Sequence, residues 1–134
     1  NKPYPVTSLS FVGVSQLTKL LGSQSAGITV ALTVPAPRNV QIPVVKECAD
    51  AFKDAGNSGA MSITSLEACI AAKVLVEGIK RAGKALTRES LQTALSSLTK
   101  VDVGGFDVVF KPAYRHGGKF VDIAVIRLNG ELRS

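Results

Sequence analysis

A chain of 134 residues, 46% hydrophobic and 19% charged, has material for one globular core and no compositional bias toward disorder. Its longest uncharged run, residues 20–37, is broken by glycines, serines and prolines, which excludes a bilayer helix of about 20 apolar residues there. The net charge of +6 raises nucleic acid as a partner, but the basic residues are scattered in pairs such as Lys80-Arg81 and no aromatic platform interleaves with them, so a basic solvated surface is the reading.

The elements follow in chain order. Ser8 to Gly13 (SLSFVG) and Gly27 to Val34 (GITVALTV) read as strands, and between them Val14, Leu17, Leu20 and Leu21 recur at helical spacing before a Gly22 stop. That is a β-α-β unit. The next segment, PAPRNVQIP, holds three prolines in nine residues and predicts an extended crossing stretch. A helix then opens with Pro43 in its first turn and closes at Gly56. Residues 62–83, SITSLEACIAAKVLVEGIKRAG, predict a second helix, with Thr64 and Glu67 as a capping box and Gly83 as its end. A third starts at Thr87 and keeps Leu91, Ala94, Leu95 and Leu98 on one face. Gly105 to Phe110 and Lys119 to Leu128 read as extended, with an Arg-His-Gly-Gly turn between them and an Asn129-Gly130 turn after.

These pieces do not close comfortably on their own. The second helix has a surface of small and apolar residues (Ala68, Ala71, Ala72, Leu75, Val76, Gly78 and Ile79) for which the chain offers no clear neighbour. Incompleteness is the simplest expectation, the alternative being a self-sufficient small α/β domain. No leader peptide is visible, and a chain opening on Asn1 reads as a processed protein or an excised piece.

Catalytic chemistry is sparse. The one histidine, His116, falls in a turn with no neighbouring carboxylate, and Ser62, Ser65, Ser96 and Ser97 lack a nucleophile-elbow context. Gly104-Gly105 precedes a strand and not a helix, which makes it a turn and not a phosphate cradle. Asp102, Asp107 and Asp122 have no metal-ligand spacing. The residues predict no enzyme, no metal and no cofactor.

The ordered succession SFVG, GITVALTVPAP, VVKECADAF, SLEACIAAKVLVEGIKRAG, LTRESLQTAL, DVGGFDVVF and KFVDIAVIRLNG resembles the C-terminal part of type I periplasmic binding proteins. Within that family it looks like the branched-chain amino acid binding components of ABC importers, and the likeness runs over about residues 6 to 132. The resemblance implies an α/β fold in which two lobes close over a small molecule. Residues 1–34 would be a β-α-β piece of the second lobe, 35–112 the crossover and first-lobe helices, and 113–134 the return to the second lobe, with an N-terminal part absent. It further implies a periplasmic location, an amino-acid or carboxylate ligand and a membrane permease as partner. A ligand-sensing or regulatory module of the same fold is the alternative, and an α/β enzyme domain a further one.

Within that resemblance Val14 and Ser15 fall where relatives present an acidic side chain to the ligand ammonium. Serine offers a hydroxyl and no charge. Met61 and Ser62 fall where relatives close over the ligand's side chain, and methionine suits an aliphatic or aromatic group. Each could instead be a loop residue without a ligand role. Cys48 and Cys69 sit on the first two long helices, whose connection is centred between them, so an antiparallel hairpin brings both to one level. In an oxidising periplasm a facing pair would bridge, whereas two buried thiols remain the other reading.

Overall fold

The β-α-β unit forms from β1 (Thr7–Leu9), α1 (Val14–Leu21) and β2 (Thr29–Leu32) in a computed structural model that describes residues 4–111 and 117–134. The helices α2 (Pro43–Asp54), α3 (Ile63–Ala82) and α4 (Arg88–Ser96) follow. The chain finishes with a hairpin of β3 (Lys100–Asp102) and β4 (Asp107–Val109), then β5 (Asp122–Ile126) and β6 (Leu132–Arg133). The main sheet has the order β1-β2-β5-β6, parallel between β1 and β2 and antiparallel thereafter.

Alternation decides which side of that sheet is buried. Val30 and Leu32 pair with Ala124 and Asp122, and Val30, Leu32, Ala124 and Ile126 point into one core with Val44, Val45 and Leu66. The opposite face carries Leu9, Ala31, Ile123 and Val125, among which Ile123 is 61% exposed. Among the described residues, strand β1 also pairs on one side only. An apolar sheet face and a bare edge strand are surfaces that folded proteins normally cover.

Helix α3 divides in the same way. Ile63, Leu66 and Ile70 enter the core, while Leu75, Val76 and Ile79 stay exposed. Gly78, expected with that open surface, is instead buried under α4, where an added Cβ would run into Leu95. The missing side chain is what lets α3 and α4 approach. A Gly78→Val change is expected to destabilise the protein by about 2 kcal/mol through overpacking, read as a lowered denaturant midpoint at unchanged slope. An unchanged midpoint would show that Leu95 can move aside freely.

Several segments depart from the sequence expectation. The first strand stops at Leu9, and Ser10–Val12 curl into a 3-10 turn, because Gly13 takes φ +80° and returns its N–H to the Ser10 carbonyl. The Pro-rich crossing segment is not extended: Asn39 N–H bonds to Ala36 O and Ile42 N–H to Asn39 O, so it advances by tight turns. The cap of α3 is Ser62, whose Oγ accepts from Ser65 N–H, and not a Thr64–Glu67 box. The Glu67 carboxylate is taken by hydroxyls from other elements.

Strand β3 was not anticipated. It pairs with β4 around Gly104 and Gly105, both at positive φ, and the Asp102 carboxylate accepts from their two N–H groups. Those backbone bonds, chiefly the one from Gly104, hold the Asp102 carboxyl below the usual carboxylate range. Strand β6 after the Asn129-Gly130 turn was likewise unforeseen, and the expected Lys119–Leu128 strand is confined to Asp122–Ile126. His116 lies outside the described residues.

Candidate ligand-binding cleft

The 3-10 turn after β1 matters because of what it lines. Residues 10–16 and Thr18 form one wall of an open cleft of about 920 Å³, and residues 60–64 leading into α3 form the other, with Ala49 beside them. Residues 36–38 of the crossing segment and residues 130–132 of the terminal turn complete the lining. The volume is that of a pocket for a small organic molecule.

Val14, Ser15, Met61 and Ser62 all line this one cleft. Val14 is the first residue of α1 and packs partly against the core, with Ser15 exposed beside it. Met61 is half-buried against the core from the opposite wall. Ser62 Oγ is committed to its own helix, accepting from Ser65 N–H at 3.0 Å and lying 2.8 Å from Ser65 Oγ. The structure therefore brings together residues 47 apart in the chain.

Two helices begin in the cleft. Gly13 leads into α1 and Ser62 into α3, so the amino ends of both dipoles face the same space and favour a negative group there. Among the described lining residues, the charged side chains are Arg38 and Glu131, whose Nη1 and Oε2 are 3.6 Å apart, with both about half exposed. Asn129 Nδ2 also donates to Glu131 Oε2, at 3.0 Å. Neither residue was anticipated. Nothing local marks position 38 or 131, and only the fold places the crossing segment beside the terminal turn.

Cys48 of α2 and Cys69 of α3 are joined by a disulfide, with Cα atoms 6.1 Å apart, away from the cleft lining. Lys73 Nζ and Glu47 Oε2 meet at 2.6 Å across the same helix pair. Among the described residues, no group of three His, Cys, Asp or Glu side chains could hold a metal, and no helix is long and apolar enough to cross a membrane.

No protein-family model and no curated protein matches the chain. Solved structures do. A substrate-binding periplasmic protein from Ralstonia solanacearum is 35% identical with a TM-score of 0.83, over 94% of this chain and 36% of that one. An extracellular ligand-binding receptor from Verminephrobacter eiseniae is 27% identical with a TM-score of 0.81, over 97% of this chain and 37% of the other. A possible leucine/isoleucine/valine-binding protein from Rhodopirellula baltica is 26% identical with a TM-score of 0.86, over 97% and 36% respectively. The chain spans little more than a third of the length of each.

Proposed function

Because this chain carries part of the type I periplasmic-binding-protein fold, we propose that it is a portion of an extracytoplasmic solute-binding component of an ABC importer. The whole protein captures a small amino-acid-like or carboxylate ligand between two lobes and presents it to a membrane permease. In this reading residues 1–34 and 113–134 belong to one lobe and residues 35–112 to the other. The cleft opens between them, in the periplasm or at the cell envelope. The reaction is binding and release, with no covalent chemistry asked of any side chain.

The observation that carries the reading is the cleft itself. Its walls come from the end of β1 and the start of α3, and the two helix amino ends that meet there suit a carboxylate. The bare edge of β1, the open sheet face and the exposed stripe of α3 support a larger protein whose remaining sequence covers them.

The first test separates the piece from the whole. Calorimetry of the 134-residue chain against leucine, valine, phenylalanine and their deaminated acids is expected to show no binding at micromolar concentration, since only part of each cleft wall is present. A thermal-shift screen of the full gene product with the same compounds should find one that stabilises it. Micromolar binding by the chain alone would sink the fragment reading, and a full-length protein indifferent to every small molecule tried would sink the transport reading.

A further inference from the structure

We infer that Glu67 is a positioning residue that sets the width of the cleft. Its Oε1 accepts hydrogen bonds from Ser10 Oγ at 2.9 Å and from Thr33 Oγ1 at 2.8 Å. Ser10 follows β1 directly and is buried, and Thr33 follows β2 directly. Because β1 and β2 are parallel neighbours with Leu9 opposite Ala31, the two hydroxyls lie at the same end of the sheet. One carboxylate oxygen thus gathers the ends of two adjacent strands.

What it ties them to is the opposite wall. Glu67 lies one turn into α3, directly behind residues 61–64, which line the cleft, while Ser10 opens the run 10–16 that lines the facing side. Among the described residues, the two Glu67 bonds are the side-chain hydrogen bonds that join α3 to this end of the sheet. Both hydroxyls converge on the same acceptor oxygen, so separating the walls strains two hydrogen bonds at once and the tie resists it. Under the reading proposed above, α3 belongs to one lobe and the two strands to the other. The bonds then cross between lobes beside the core that Leu66 shares with Val30 and Leu32, on the hinge side of the cleft, and they must pivot whenever the cleft opens. The geometry itself stands independently of the ligand.

A purely local role is the competing account: buried Ser10 needs a hydrogen-bond partner, and Glu67 supplies one. The two accounts differ in what they predict for distance. Cysteines placed at Lys19 and Ser58, exposed positions outside the cleft lining and on either side of it, can carry spin labels in the full-length protein, because Cys48 and Cys69 are already bonded to each other. Double electron–electron resonance then reads the separation of the walls without any ligand. Glu67→Gln keeps an acceptor oxygen in place, so its distance distribution should match that of the parent. Glu67→Ala should give a longer mean and a broader distribution, and Ser10→Ala/Thr33→Val should do the same from the other side of the tie.

A thermal unfolding curve accompanies each variant. If Glu67→Ala lowers the melting temperature yet leaves the distance distribution unchanged, the residue only satisfies Ser10 and the proposal is overturned. If Glu67→Ala fails to fold, the double hydroxyl variant decides in its place, with a parental distribution again overturning the proposal. A ligand screen that finds no stabilising molecule would remove the transport reading and leave these distances untouched.

Discussion

Removal of the Cys48–Cys69 bond is expected to lower the unfolding free energy by about 3 kcal/mol. The two cysteines are 21 positions apart, and a loop of that length loses about this much closure freedom when its ends are fixed in the unfolded chain. Other ties across the same helix pair are weaker. The Lys73–Glu47 pair joins α3 to α2 at 2.6 Å, but Glu47 is largely exposed and solvent screens it, so it contributes no more than about 1 kcal/mol. Packing at Cys48, which is buried, adds a smaller term that a Cys→Ala change would also remove. Urea unfolding of the oxidised protein against a Cys48→Ala/Cys69→Ala variant measures the sum. Thiol titration under denaturing, non-reducing conditions should find neither cysteine free, and reactivity of both would exclude the bridge.

The full-length protein is expected to prefer deaminated carboxylic acids over the matching amino acids by about two orders of magnitude. An ammonium buried in a closed cleft with no carboxylate partner costs several kcal/mol, more than a contact to the Ser15 hydroxyl returns, whereas an acid brought to the same space by the rest of the full-length protein would return the preference to amino acids. Glu131 is the acid among the described lining residues, and its Oε2 already faces Arg38 and Asn129. The amino ends of α1 and α3 meanwhile favour the carboxylate that both ligand classes share. A thermal-shift series pairing leucine, valine and phenylalanine with their deaminated counterparts, aromatic carboxylates included, reads the preference. Stabilisation by the amino acids alone would show that Ser15 does not mark a change of ligand class. Stabilisation by the acids, weakened in Ser15→Glu, is the expected pattern.

Local signals placed most of the helices. Pro43 in the first turn of α2, the reciprocal Thr87–Ser90 cap of α4 and the positive-φ glycines after α1 and α3 act within a few residues of themselves, so their meaning survives without tertiary context. Strand β3 escaped because a three-residue strand next to a Gly-Gly turn shows too little alternation to separate it from loop. The cap of α3 departs from the local expectation for a different reason. Glu67 has the right spacing to cap, yet hydroxyls of residues 10 and 33 compete for its carboxylate, and that competition exists only once the fold has formed. The cleft divides along the same line. The family resemblance is what points to Val14, Ser15, Met61 and Ser62, at the starts of α1 and α3, whereas Arg38 and Glu131 converge from 93 positions apart and leave no local trace.

The register of the main sheet governs the order in which the protein can fold. Thr29 of β2 pairs with Val125 of β5, and β6 completes the sheet from the last residues of the chain, whereas α2, α3 and α4 pack against helices next to them in sequence. Contacts between sequence neighbours form fast, and pairings that must first close a long loop form slowly. The helical segment can therefore collapse and oxidise while β1 and β2 still wait for their antiparallel partner. During that interval the strand that ends up at the centre of the sheet is itself an edge, with Val30 and Leu32 unprotected. Until β5 and β6 have paired, that edge is the point most exposed to misassembly, and loss of residues 122–134 would cost the sheet its antiparallel half long before it disturbed a helix.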